Sequence, residues 1–206
     1  MSNPNQDYLW AVLYNAIGNE YGVAGLMGNL QAESGNISYR LQGDFTNTLY
    51  RSINYTNNVD SGLISRNDFI NDSQGYGLAQ WTYYSRKADY YDYMVSGGYS
   101  SIGDVTGAAS FLIWELQNNY SSVWSTLQNA TSIRQASDAV LYYYENPLTP
   151  NPDAREALSI VIYNESSTGQ PVPIPVPPDV PPPTEPTRPM WLFAKMADNR
   201  KLLLKN

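Results

Sequence analysis

Gly22-Val23-Ala24-Gly25-Leu26-Met27-Gly28-Asn29-Leu30-Gln31-Ala32-Glu33-Ser34-Gly35 is the stretch on which the fold turns. Val23, Leu26, Leu30 and Glu33 recur at 3,4 spacing, so residues 22–34 read as a helix that Gly35 stops. The stripe that should pack into a core therefore ends in a carboxylate. Burial and the negative end of a helix both disfavour the charged form, and a carboxyl placed there should hold its proton more tightly than usual. A general acid needs that property to protonate a leaving glycosidic oxygen near neutral pH. The alternative is that Glu33 sits at the edge of the stripe and snorkels to water.

Outward from this helix, residues 1–165 read as mostly helical. Trp10, Leu13, Tyr14 and Ile17 mark a helix over 7–17 closed by Gly18. Between 36 and 80 the pattern breaks into Asn-, Asp- and Gly-rich stretches, with short alternating pieces around 49–55 that suggest a small hairpin or irregular lobe. Helices return over 83–95, 104–119, 123–127 and 132–144. A last one opens with Asn151 as cap and Pro152 at its first position. No internal repeat is visible.

After Glu165 the composition changes. Residues 166–189, SSTGQPVPIPVPPDVPPPTEPTRP, read as a Ser/Pro-rich polyproline linker. Residues 190–206 form a short basic, partly amphipathic tail, too short for a domain. The tail is a candidate tether to a partner protein. Up to Glu165 there are 7 Lys and Arg against 16 Asp and Glu, a net of −9, and from Ser166 onward 5 against 3, a net of +2. An acidic body is a poor partner for nucleic acid, and it is not drawn from a distance to any anionic partner, so binding of one has to come from a cleft.

The chain has no cysteine and no histidine. That inventory excludes disulfides, thiol nucleophiles, Ser-His-Asp triads and the usual zinc sites, and leaves acid–base chemistry to carboxylates and tyrosines. No spaced acidic calcium loop exists, so neither a metal nor another cofactor is expected. The start lacks a basic stretch followed by an apolar one, and no apolar run approaches the ~20 residues of a membrane span. No signal peptide or transmembrane segment is therefore expected.

A second motif is Gly75-Tyr76-Gly77-Leu78-Ala79-Gln80-Trp81. Its glycines let a sugar approach the backbone, Gln80 can bond an N-acetyl group, and Trp81 can stack on a pyranose. Equally, it reads as a Gly-rich turn with Trp81 as a core anchor. Glu115, beside Phe111 and Leu112, reads as a structural carboxylate bonded to Arg or Tyr.

Together, residues 28–35, the motif running from Gly75 to Thr82, the aromatic Leu141-Tyr142-Tyr143-Tyr144-Glu145-Asn146-Pro147, and Arg155 in the final helix resemble the goose-type lysozyme and lytic transglycosylase superfamily. Within it, they resemble the phage tail lysozyme family. The resemblance covers nearly the whole body and omits linker and tail. It implies a mostly α, lysozyme-like α+β fold in which the glutamate faces the Gly-Leu-x-Gln turn across a glycan cleft. It also implies a muramidase that hydrolyses the β-1,4 MurNAc-GlcNAc bond of peptidoglycan, virion-associated or released to the bacterial wall. The alternatives are a lytic transglycosylase giving an anhydro product and a non-catalytic glycan-binding tail component.

By the same resemblance Glu33 is the catalytic acid, Gln80 the cleft glutamine, and Tyr143 or Tyr144 the aromatic of the third motif, with Tyr76 and Trp81 also contacting substrate. Goose-type lysozymes carry one acidic residue a few positions before the Gly-Leu and another just after the glutamine. Asp72 fits the first within a one-residue shift, but Thr82 occupies the second. Asp72 is thus the candidate for activating water, with Asp44 and Asp68 behind it. A separation from Glu33 of roughly 6.5 to 9.5 Å would suit inversion.

Overall fold

A computed structural model of the chain describes residues 4–35, 39–40, 42–43 and 49–167. These residues are mostly helical. The helices are α1 (Pro4–Ile17), α2 (Glu20–Ser34), α3 (Leu49–Asp60), α4 (Arg66–Asn71), α5 (Tyr84–Ser96), α6 (Val105–Asn119), α7 (Ser121–Asn129), α8 (Ile133–Val140) and α9 (Pro152–Ser166). One π-helical turn, Leu141–Glu145, continues α8. No described helix is long and apolar enough to cross a membrane.

α2 is the axis of the body, packed by α1, α7, α8 and α9. Its sequence explains why so many neighbours fit. A Cβ added to Gly22 would lie 2.1 Å from the Leu127 carbonyl oxygen, one on Gly25 2.5 Å from the Ala136 Cβ, and one on Gly28 2.0 Å from the Ser159 Oγ. Three glycines, one turn apart, thus admit α7, α8 and α9 in succession to van der Waals contact with the helix backbone. Each costs roughly 1 kcal/mol of helix propensity relative to Ala, which the close packing offsets. The buried Asn29 bonds three helices. Its Nδ2 donates to Gly25 O at 2.8 Å and to Ser137 O and Oγ at 3.2 Å, and its Oδ1 accepts from Arg155 Nη1 at 3.2 Å. Asn19 caps α2 by accepting from Gly22 N, while its Nδ2 donates to the carbonyls of Gln128 and Ala130 at the end of α7.

The expected hairpin around 49–55 is corrected: those residues begin α3, and the described part of the lobe contains α3 and α4 with no strand. Among the described residues a single antiparallel bridge joins Gln42 to Tyr76. The inward face of α3 is Ser52, Tyr55, Thr56 and Val59, at helical spacing but with a hydroxyl on three of the four, so a search for apolar periodicity passes over it. Buried Thr56 satisfies its hydroxyl by bonding Ser52 O at 2.9 Å and Tyr76 OH at 2.7 Å. Aromatic rings, not a sheet, join lobe to body. Tyr55, Phe69, Tyr76, Tyr90, Trp81 and Phe111 form a continuous run with centroids 4.8 to 6.3 Å apart, each pair adding roughly 0.5–1.5 kcal/mol beyond burial.

The other expected helices are present, and α9 opens as the sequence indicates, with Asn151 Oδ1 accepting from Ala154 N at 3.3 Å. It runs to Ser166, one residue past the expected end of the body. Beyond Ser167, the linker and basic tail lie outside the described residues, as does Asp44.

Candidate active site

Glu33 occupies the last turn of α2, and its side chain is 23% exposed, so it sits at the margin of the core with water still in reach. Arg155, from the first half of α9, donates from Nη2 to Glu33 Oε1 and from Nη1 to the Asn29 carbonyl at 3.2 Å. The guanidinium is itself positioned by the close α2–α9 packing at Gly28. The carboxylate that ends the apolar stripe is thus held by a cation from a helix more than 120 residues away.

The π turn brings a second carboxyl to the same place. The wider turn buries Leu141 and Tyr144 and leaves Tyr142 and Tyr143 outside. It closes on Asn146, whose left-handed backbone (φ 46°) lets its N–H bond Leu141 O at 2.9 Å. Just before that cap stands Glu145, half-buried overall, with an Oε1 sealed from solvent and without a hydrogen-bond partner. Burial, reinforced by the charge of Glu33 and opposed by Arg86 and Arg155, pushes its pKa up to about 8.

Behind these groups lies a satisfied network. Buried Glu115 accepts from Arg86 Nε at 2.8 Å and Nη2 at 3.0 Å, from Trp81 Nε1 at 2.9 Å and from Tyr144 OH at 2.7 Å. Arg86 also lies over the Tyr144 ring, 4.7 Å from its centroid. Glu115 is therefore the structural carboxylate its sequence context indicated. It ties the third motif, through Tyr144, to the second, through Trp81.

The Gly75–Trp81 segment is a closed turn. Tyr76 and Trp81 exchange both backbone bonds, at 3.2 and 3.0 Å. Gly77 has φ 75°, and Gln80 takes φ 45°, a left-handed conformation that costs a non-glycine residue strain. The Gln80 amide donates to Gly77 O at 2.9 Å, and its Oε1 packs where a Cβ on Gly75 would stand, 2.6 Å away.

Several of the expected substrate contacts fall on buried rings. Tyr76 and Trp81 have no exposed surface, and Trp81 is covered by Tyr90 at a 4.8 Å centroid distance, so no pyranose reaches either ring. Tyr144 is buried too, with its hydroxyl committed to Glu115. Of the two third-motif tyrosines, Tyr143 is the exposed one, at 72%. With Tyr142 it lines a cavity of about 650 Å³ whose polar wall includes Ser122, Thr126, Gln135 and Asp138.

Asp72 caps α4 and is engaged elsewhere. Its Oδ1 accepts from Lys87 Nζ at 2.5 Å and Gln74 N at 2.9 Å, and its Oδ2 accepts from Tyr55 OH. Lys87 is fully buried, 4.4 Å from the Phe69 centroid, and burial lowers its pKa despite the Asp72 bond. Asp72 is the counter-ion that makes this lysine tolerable, and none of its bonds leads toward Glu33. Asp68 sits in the exposed capping box of α4 with Ser65.

Sequence reading placed Glu145 inside a motif without giving it a role. Its neighbours Tyr144 and Asn146 carry the only hint: a carboxyl squeezed between a buried ring and a helix stop has little room to reach water.

No curated protein matches the chain. Residues 4–165, which span the nine α-helices of the described residues except the last residue of α9, match the family described as phage tail lysozyme, whose name associates its members with lysozyme-type enzymes and the phage tail. The match stops before the proline-rich stretch, and on it the chain belongs to the phage tail lysozyme family.

Proposed function

We propose that the protein is a peptidoglycan muramidase that hydrolyses the β-1,4 MurNAc-GlcNAc bond, with Glu33 as the group that protonates the leaving oxygen. The observation that carries this reading is the position of Glu33. It ends a buried helix at the solvent margin, Arg155 fixes its orientation, and a second carboxyl, Glu145, lies within its electrostatic reach. Preorganised acid geometry of this kind is what general acid catalysis requires. Gln80 and exposed Tyr143 are the sugar-contacting residues, Gln80 through its amide and Tyr143 by stacking. Asp72 is left out of the reacting group because Lys87 and Tyr55 already occupy it.

The test is turbidity loss of purified peptidoglycan. Glu33→Gln keeps the fold and abolishes clearing; clearing at the wild-type rate by a folded Glu33→Gln variant overturns the assignment. The transglycosylase outcome has one observation in its favour, the Thr82 that follows Gln80 where goose-type lysozymes carry an acid. Mass spectrometry of the products separates the two: a reducing end means water attacked, and an anhydro sugar means the substrate's own hydroxyl did. A phage tail is the setting we infer, with the wall opened locally at entry or release and the 190–206 tail as the tether to the virion.

A further inference from the structure

The cavity of about 650 Å³ between α7 and α8 falls within the ~300–1,000 Å³ of small-molecule sites. None of its lining residues belongs to α2 or α9, the helices that carry Glu33 and Arg155. Helix periodicity explains the separation. Ala136 and Ser137 meet Gly25 and Asn29 of α2, whereas Gln135, Asp138, Ala139 and Tyr142, at 3,4 spacing, form the neighbouring strip that lines the cavity with α7. Buried Val123 and Ala139 supply an apolar floor, and Ser122, Thr126, Gln135 and Asp138 a polar wall. Tyr142 and Tyr143 add two exposed rings that neither stack nor hydrogen-bond among the described residues. Their neighbour Tyr144, by contrast, is committed to Glu115 and to the Tyr120 ring.

The polar groups are set in place. Gln135 Oε1 accepts from Thr131 N at 2.9 Å and Oγ1 at 3.0 Å, which orients the amide and leaves Nε2 as a donor without a partner among the described residues. Asp138 is held by Arg134 Nε at 2.9 and 2.8 Å, and Arg134 Nη1 also donates to Asp153 and Glu156 at 3.0 Å. Three carboxylates on one guanidinium give this rim a formal net charge of −2, which disfavours an anionic ligand. A pyranose matches such a cavity: its C–H face stacks on an aromatic ring, and its edge exchanges hydrogen bonds with hydroxyl, amide and carboxylate groups.

We propose that the α7–α8 cavity is a second glycan site, which holds neutral N-acetylhexosamine units of the strand apart from the bond that Glu33 cleaves. The ligand class rests on the reading of the substrate as peptidoglycan. Tyr142 and Tyr143 stack on the sugar faces, Gln135 Nε2 donates to an acetyl carbonyl, and Asp138, Ser122 and Thr126 take ring hydroxyls. Contacts made away from the reacting bond stabilise the bound ground state and transition state alike, so the site acts on KM.

The ¹⁵N-labelled full chain, titrated with the soluble tetramer of β-1,4-linked N-acetylglucosamine, tests this. The Gln135 side-chain NH₂ and the Thr126 and Tyr142 amides should shift and saturate. Tyr142→Ala should weaken tetramer binding by roughly three- to tenfold, the contribution of one stacked ring, and raise KM on peptidoglycan by a similar factor. Tyr142→Phe, which keeps the ring, should restore both, and Gln135→Ala provides a second variant with the same expected loss. Resonances of α7 and α8 that stay still up to about 10 mM tetramer, where a site with Kd on the order of 1 mM is mostly filled, overturn the proposal. So do shifts confined to the Gln80 turn, equal shifts with an anionic oligogalacturonate, or wild-type binding by both Tyr142→Ala and Gln135→Ala. Clearing retained by Glu33→Gln refutes the assignment of Glu33, while the titration still decides this site. Clearing lost in Glu33→Gln, with still α7 and α8 resonances in the titration, refutes the second site alone.

Discussion

Replacing Glu115 by Gln changes one atom and leaves the shape of the side chain alone, yet it should be among the most destabilising conservative changes in the body. The buried carboxylate accepts four hydrogen bonds, two from Arg86 and one each from Trp81 and Tyr144. An amide keeps a single acceptor oxygen. If that oxygen takes the Oε2 position it still serves Trp81 and Tyr144, but the new NH₂ then points at Arg86 Nε, donor against donor. The positive charge of Arg86, whose side chain is 20% exposed, loses its counter-charge. Removing one partner of a buried pair costs about 3–5 kcal/mol. For a domain of this size ~1 kcal/mol corresponds to roughly 2–4 °C in Tm, so the melting temperature should fall by roughly 6–20 °C. Circular dichroism melts at one pH and protein concentration measure it. The double variant Arg86→Met/Glu115→Gln removes the stranded charge and keeps the Trp81 and Tyr144 bonds, so it should recover most of the loss. A loss below about 1 kcal/mol for Glu115→Gln, or no recovery in the double variant, would refute the claim that this carboxylate holds the second and third motifs together.

Asp72→Asn separates structure from chemistry: stranding the buried Lys87 should cost about 3–5 kcal/mol while the folded fraction keeps its kcat, and a drop in kcat on the order of 10² or more at wild-type stability would restore Asp72 as a catalytic base. Gly28→Ala places a Cβ 2.0 Å from Ser159 Oγ and 2.7 Å from Ser159 N, so unfolding should become easier by roughly 1–3 kcal/mol despite the better helix propensity of Ala. Because backbone as well as the hydroxyl is struck, Ser159→Ala should rescue only part of that loss in urea titrations. Glu145 predicts the sign of a pH effect. Its folded pKa of about 8 lies above the ordinary 4.5, so between those values the folded state binds more protons and this group's contribution to stability falls as pH rises. The stability of the wild type relative to Glu145→Gln should therefore decline from about pH 5 to pH 9 in urea melts, and a constant difference would contradict the elevated value.

Most of the helical frame was legible because apolar spacing, caps and stops agreed. The 22–34 stripe, the Asn151 cap and Pro152 at the first turn each correspond to a helix boundary in the structure to within two residues. The lobe was not legible, because α3 buries Ser52, which accepts from Gln42 N, and Thr56, which donates to Ser52 O, and alternation in a short segment then passes for a strand. The same physics explains the misread aromatics. Spacing cannot tell a tryptophan that stacks on sugar from one that stacks on Tyr90, and only the Glu115 bond to its indole shows which environment Trp81 has. Arg155 was placed in the right helix, but its pairing with Glu33 depends on the helix approach that Gly28 permits, a tertiary fact without a local signature.

That dependence bears on the chemistry. Arg155 reaches Glu33 because α9 lies against α2 at Gly28, and α8, which the π turn continues, lies against α2 at Gly25. The buried, unpartnered Oε1 of Glu145 sits at the end of that turn, and burial contributes most to its raised pKa. Widening that approach by a methyl at Gly25 should loosen α8 and lower the proton affinity of Glu145 together. If carboxyl titration of a folded Gly25→Ala variant finds Glu145 still at about 8, the packing of α8 on α2 is not what holds the proton there.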